Sequence, residues 1–115
     1  MHNFKELLVW KKAVDLVVEI YKIVKFLPET ERFNLISQME RAAVSIPSNI
    51  AEGCGRHTNP VFKQFLGNAL GSSYELETQT ILSGRLGYLD EKRMSEMTTH
   101  VNEVQRMLNG LHNTL

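Results

Sequence analysis

Polar side chains that could do chemistry are concentrated in one stretch of the chain, from Arg41 to Arg56. Ser45, Asn49 and Glu52 lie within it at helical spacing, so a helix would carry all three on one side. A hydroxyl, an amide and a carboxylate placed in this way fit two interpretations. They form an active site together with the two arginines, or they form a structural polar seam between helices.

The lone cysteine, Cys54, is a second candidate for catalysis because His57 follows shortly after it. A cysteine nucleophile needs a base that a third group holds in place, and the sequence shows no such set. Gly53–Arg56 lacks the preceding strand and the Gly-Lys-Ser/Thr ending of a phosphate loop. A single cysteine excludes an internal disulfide and a cysteine-based zinc site, and the histidines form no His-x-x-x-His pair. We expect no catalytic residue, metal, cofactor or small-molecule substrate.

Four helical segments must position these side chains. They are predicted at residues 4–26, 30–54, 60–86 and 91–113. Their boundaries are marked by a capping box at Asn3 and Glu6, by Pro28, by Asn59 before Pro60, by Gly87 and by Asp90. No alternation of period two indicates a strand. Because the connections are short, the sequence predicts one all-α domain over residues 1–115, an antiparallel up-down-up-down four-helix bundle.

The second helix carries an apolar stripe that is expected to face the core. Its members are Leu35, Met39, Ala42, Ile46 and Ile50. Pro47 removes one backbone hydrogen bond within this helix and crowds the carbonyl one turn earlier. A kink is therefore predicted near Pro47.

A polar stripe runs beside the apolar one and is expected to meet helix three. When helix three folds back antiparallel, Arg41 is expected opposite Glu75, and Ser45 and Asn49 opposite small residues. Small residues suit the close approach of a backbone or of a polar side chain. The predicted partly buried network consists of Arg41, Ser45, Asn49, Glu52, Arg56, Ser72 and Glu75. Since such a network can fix helix register without any chemistry, we favour the structural interpretation.

The first helix has more apolar surface than a lone bundle needs. One heptad row holds Leu7, Trp10, Val14, Val17, Tyr21 and Val24, and a second row holds Val9, Ala13, Leu16, Ile20, Ile23 and Leu27. Together they cover more than half of the helix, whereas a core-facing stripe needs an arc of about 100° or somewhat more. We predict that one row faces the core and the other a second subunit, with Leu7, Trp10, Val14, Val17 and Tyr21 as contacts. The pattern leaves open which row is which.

The charge balance argues against a dedicated nucleic-acid-binding domain. Thirteen basic residues match thirteen acidic ones among 115 residues, whereas phosphate neutralisation calls for a basic excess. Nucleic-acid binding stays an alternative through a basic surface repeated around an oligomer. The residues available for it are Lys5, Lys11, Lys12, Lys22, Lys25, Arg56 and Lys63. No apolar run approaches the ~20 residues of a membrane span, and the N-terminus lacks signal-peptide anatomy, so a cytoplasmic protein without membrane contact is expected.

Four strings identify a family resemblance over nearly the whole chain. They are LLVWKKAVDLVVEIYKI, ISQMERAAVSIPSNIAEGCGR, FKQFLGNALGSSYELETQ and LGYLD. They are similar to the four-helix-bundle proteins encoded within intervening sequences of bacterial 23S rRNA genes. That family includes the accessory variability proteins of diversity-generating retroelements. One departure is Asn34, where members commonly have glycine before leucine.

The resemblance implies a small bacterial protein that assembles as a ring-like homopentamer through surfaces of helices one and two. Retroelement members are strongly basic and are thought to bind nucleic acid and a reverse transcriptase. The zero net charge of this chain departs from them. The interpretation that follows is a non-enzymatic oligomeric scaffold, with an RNA- or DNA-binding accessory protein as the alternative.

Overall fold

The chain folds as an all-α four-helix bundle in a computed structural model that describes residues 3–115. The helices are α1 (Leu8–Ile23), α2 (Ser37–Cys54), α3 (Asn59–Arg85) and α4 (Glu91–Asn113). α1 packs against α2 and α4, and α3 packs against the same two helices. Because the connections are short, neighbouring helices run antiparallel. The predicted fold class is confirmed.

The first helix starts differently from the prediction. Phe4–Glu6 form a separate 3-10 turn, in which the Asn3 side chain accepts a backbone N–H at 3.1 Å. Leu7 is extended, with ψ 125°, so α1 begins only after it. The break lets the Phe4 ring pack edge-on against Trp10, with 5.2 Å between ring centroids. Asn3 therefore caps this separate turn and not the long helix.

The second helix also starts later than predicted. Three short turns stand between α1 and α2: 3-10 turns at Val24–Phe26 and Glu29–Glu31, and a π-helical turn at Arg32–Ile36. One carboxylate holds the wide π turn in place. Glu31 Oε1 accepts the backbone N–H of Leu35 at 3.3 Å, and Glu31 Oε2 accepts the hydroxyl of Tyr88 at 2.9 Å. The side-chain hydrogen bond to Glu31 raises the pKa of Tyr88.

The ends of α3 and α4 are set by capping groups. Thr58, and not the predicted Asn59, caps α3, because its Oγ1 accepts the N–H of Val61 at 3.4 Å while Asn59 is already helical. Gly87 ends α3 at φ +83°, and the backbone N–H of the next residue bonds back to a carbonyl of the last turn. Asp90 Oδ1 caps α4 by accepting a backbone N–H at 2.8 Å.

Pro47 lies inside α2, which runs as one α-helix from Ser37 to Cys54. Its side chain is buried. The kink predicted at this position stays a prediction.

The core shows which of the two apolar rows of helix one is buried. The row buried in the bundle consists of Val9, Ala13, Leu16, Ile20, Ile23 and Leu27. From α2 the core takes Met39, Ala42, Ile46 and Ile50, and from α4 it takes Met97, Val101, Val104 and Leu108. The Trp10 row lies at the edge of the bundle except for Val24, which is buried in the core. Within residues 3–115, no helix combines the length and apolar character that crossing a membrane requires.

Candidate functional site

The polar seam between α2 and α3 is a short chain of hydrogen bonds centred on Ser45. The Ser72 hydroxyl donates to Ser45 Oγ at 2.8 Å. Asn49 Nδ2 donates to the same Oγ at 2.9 Å and to the Ser45 carbonyl at 2.8 Å. Ser45, Asn49 and Ser72 are all half-buried. Ser45 Oγ thus accepts two hydrogen bonds, and within residues 3–115 no histidine or carboxylate is hydrogen-bonded to it as a base.

The structure does not bring the predicted pair Arg41 and Glu75 together. Arg41 is exposed and donates to Ser37 Oγ at 3.3 Å, one turn earlier on its own helix. Glu75 is exposed and lines a shallow groove beside Ser45 and Ser72. The predicted pair does not form because α3 is oriented with Glu75 toward solvent. Arg41 bonds instead to the nearer Ser37 on its own helix.

Gly67 and Gly71 of α3 do not serve a close approach within the chain, contrary to the prediction. A Cβ at Gly67 or at Gly71 would meet nothing within 4 Å. Both glycines are exposed and line the groove together with Asn68. The predicted approach of a backbone or bulky side chain is therefore absent at these two positions.

The remaining members of the predicted network lie apart from it. Arg56 pairs with Glu52 at 3.2 Å on the exposed end of α2, and its guanidinium lies 5.0 Å from the ring centroid of Phe65.

Cys54 is buried, and burial raises the pKa of its thiol, which disfavours the reactive thiolate. Within residues 3–115, no three His, Cys, Asp or Glu side chains are grouped as metal ligands.

A second polar network, which the sequence analysis missed, joins α3 to α4. Glu77 Oε2 accepts from Asn102 Nδ2 at 3.1 Å, and Glu77 Oε1 accepts from Gln105 Nε2 at 3.0 Å. Asn102 Nδ2 also donates to Gln105 Oε1 at 2.9 Å. One carboxylate and two amides thus fix the register of the two helices. The signal available in the sequence was a pair of amides, Asn102 and Gln105, spaced three apart beside the apolar row of α4.

The outer row of helix one is incompletely covered by its own chain. Leu7, Trp10, Val14 and Val17 are half-buried, and Tyr21 keeps 45% of its surface exposed. A groove of about 530 Å³ continues from Tyr21 to Ile36 and Glu40 at the start of α2. The outer face of helix one and the start of α2 therefore form one partly apolar surface.

Comparison with known proteins assigns the chain to a family. The model of the 23S rRNA-intervening sequence protein matches residues 5–110, a span that holds α1, α2 and α3 entirely and most of α4. The chain belongs to this family. The resemblance predicted from the four sequence strings is confirmed, while the relation to the retroelement accessory proteins stays a prediction.

A solved structure supports the same assignment. It is the 1.70 Å crystal structure of a protein of unknown function from the S23 ribosomal protein family of Bacteroides thetaiotaomicron. The two chains are 25% identical and superpose with a TM-score of 0.85. The match covers 91% of this chain and 98% of that one. No protein with a curated description matches the chain.

In this 23S rRNA-intervening sequence protein, several of the basic residues considered for nucleic acid are already paired with acids. Lys12 lies 3.6 Å from Glu103, Lys22 lies 3.5 Å from Glu19, and Arg56 pairs with Glu52 as described above. Lys5 lies 5.9 Å from the ring centroid of Phe4. Lys11 and Lys25 are exposed, and Lys63 is half-buried. Within residues 3–115, three of the seven candidate residues thus form ion pairs, and Lys5, Lys11, Lys25 and Lys63 do not.

Proposed function

We propose that this chain is a non-enzymatic scaffold that works as a homo-oligomer, with the homopentamer that the family resemblance implies as the expected form. The observation that carries the proposal is the partial exposure of apolar residues on the outer face of helix one. The row from Leu7 to Tyr21 stays partly exposed, whereas its last member, Val24, and the whole of the other row are buried in the core. Contiguous apolar surface of this kind on a small domain marks an interaction site.

The composition of this face supports a subunit contact. It combines Trp10 and Tyr21 with valines, and aromatic anchors of this type dominate the energy of protein interfaces. The groove from Tyr21 to Ile36 and Glu40 extends the face onto the start of α2. The non-enzymatic part rests on the polar groups: Ser45 is engaged by neighbours, and Cys54 is buried with a raised thiol pKa.

Light scattering after size exclusion, together with native mass spectrometry at micromolar concentration, tests the proposal. The wild-type chain should have the mass of an oligomer. Tyr21→Glu should lower that mass while the circular dichroism spectrum stays helical, because the substitution places a charge in the contact. Tyr74→Glu is the matched control, since Tyr74 is an exposed tyrosine on α3. A monomeric wild type contradicts the proposal.

Nucleic-acid binding is the second candidate because Lys11 and Lys25 are exposed on α1 and its C-terminal turn and form no ion pair within residues 3–115. An oligomer would repeat this weak positive surface several times. Fluorescence anisotropy with a labelled RNA hairpin, at low and at physiological salt, tests it. Binding should weaken steeply with salt and weaken further in the double variant Lys11→Glu, Lys25→Glu. No binding at low salt eliminates this function.

A further inference from the structure

The π-helical turn before α2 holds one aromatic ring almost wholly in water. Phe33 keeps 91% of its surface exposed, whereas Leu35 and Ile36 of the same turn are buried. The turn is anchored by Glu31, which accepts the Leu35 N–H and the Tyr88 hydroxyl. Phe33 is therefore a fixed projection that contributes nothing to the core of its own chain. π-helical turns of this kind occur frequently at functional sites.

An open cleft of about 620 Å³ lies between α1 and α4, and most of its lining residues are charged or polar. Its apolar lining residues are Val18, Ile23, Phe26 and Met97, of which Val18 and Phe26 keep about half of their surface exposed. The guanidinium of Arg93 lies 3.9 Å from the Phe26 ring centroid. The cleft is large enough for an aromatic side chain and offers it apolar contacts.

Among the charged residues that line this cleft, those without an ion-pair partner are acidic. Each basic residue of the rim is paired: Lys12 with Glu103, Lys22 with Glu19 and Arg93 with Asp90. His100 also lines the cleft. Asp15 and Glu96 line it without an ion pair within residues 3–115. An occupant that carries a basic side chain beside an aromatic ring would complement both the apolar residues and the unpaired acids of the cleft.

Arg32 and Phe33 present that combination on the same molecule. Both are exposed, and Arg32 forms no ion pair within the described part of the chain. The projection and the cleft lie toward the same end of the bundle, where α1 ends, the π turn stands and α4 begins. Subunits placed side by side at one height can therefore bring them together.

We propose that Phe33 of one subunit inserts into the α1–α4 cleft of the next, with Arg32 facing Asp15 and Glu96. This inference rests on the proposed homo-oligomer and adds a specific contact to the one proposed at Tyr21. Because the projection and the cleft are different surfaces, the contact is heterologous, and it closes into a ring when the rotation between subunits allows. A second copy is the occupant that the complementary charge favours.

The first test is the mass of variants under the conditions used for the wild type. Phe33→Ser should raise the concentration for half-assembly about 10- to 100-fold, because it removes a central aromatic anchor. Tyr74→Ser, on α3, should leave assembly unchanged. Arg32→Glu should weaken assembly, and adding Asp15→Lys and Glu96→Lys should restore it. Rescue by the reversed charges keeps the test valid even if Phe33→Ser fails to fold.

A cross-link identifies the contact directly. Phe33→Cys and Val18→Cys, the latter at an exposed residue of the cleft lining, are made in separate chains and mixed under oxidising conditions, with the buried Cys54 present in both. A disulfide-linked dimer in the mixture, and in neither chain alone, supports the contact. An oligomeric wild type whose mass is unchanged by Phe33→Ser, with no cross-link in the mixture, overturns the contact and leaves the scaffold proposal standing. A monomeric wild type overturns both.

Discussion

Replacing Glu77 by alanine should destabilise the bundle by breaking the polar network between α3 and α4. The carboxylate accepts one hydrogen bond from Asn102 at 3.1 Å and one from Gln105 at 3.0 Å. A hydrogen bond to a charged group contributes about 1.5–3 kcal/mol, and a buried donor left unpaired costs about 1–3 kcal/mol. Gln105 is buried and Asn102 half-buried, so water would satisfy the two amides only in part.

The expected loss in the free energy of unfolding is about 2–3 kcal/mol, which corresponds to a fall in Tm of about 10 °C for a domain of this size. Glu77→Gln should lose about half as much, because one oxygen still accepts while the new amide faces a donor. Urea unfolding followed by circular dichroism measures both variants. The protein concentration must be kept constant, since assembly adds to the apparent stability.

Glu75→Ala is the matched control for this experiment. Glu75 lies on the same helix but is exposed and accepts no hydrogen bond that joins it to another helix. Its replacement should change stability by less than about 0.5 kcal/mol. If Glu77→Ala and Glu75→Ala were equally stable, the account of α3–α4 register given above would be wrong.

Three further predictions concern single positions. Cys54 is buried with a raised thiol pKa, so a thiol reagent should label it slowly in the native protein and at once in denaturant. The pKa of Tyr88 is raised by Glu31, so this pair stabilises the fold below about pH 10 and the stabilisation falls as pH rises further; Tyr88→Phe should lack that part of the pH dependence in thermal melts. Gly53→Ala should destabilise the fold, since its Cβ would lie 2.7 Å from an α3 side chain. Gly67→Ala should stabilise the fold by about 0.5–1 kcal/mol in the same melts, because its Cβ meets nothing within 4 Å and alanine favours a helix.

The fold could be predicted from the sequence because its signals are local and repeated. The 3-4 spacing of apolar residues continues over several turns in α1, α2 and α4. Gly87 and Asp90 mark an end and a start that the structure places at the same residues. The errors lie where a contact distant in sequence decides a local conformation. Glu31 holds a π turn by accepting the hydroxyl of Tyr88, far along the chain, and propensity alone would continue an α-helix there.

The details of the polar seam were harder to predict for a geometric reason. Pairing residues across an antiparallel turn gives their height along the helices but not the direction of each side chain around the helix axis. Ser45 and Ser72 meet because both point into the seam, whereas Arg41 and Glu75 lie outside it. A rotation of one helix by a fraction of a turn separates the two outcomes, and no sequence pattern specifies that rotation.

Phe33 shows how the same turn links folding to assembly. A regular α-helix starting near Thr30 would place its apolar side chains in rows set by the 3.6-residue repeat, with Phe33 off the stripe that holds Leu35 and Met39. The π turn keeps Leu35 buried and leaves Phe33 projecting from a backbone that Glu31 anchors. A backbone held in this way loses little conformational freedom when a partner covers the ring, and this would lower the cost of the proposed association. The irregular turn thus leaves Phe33, with 91% of its surface exposed, on the surface at which that contact is proposed.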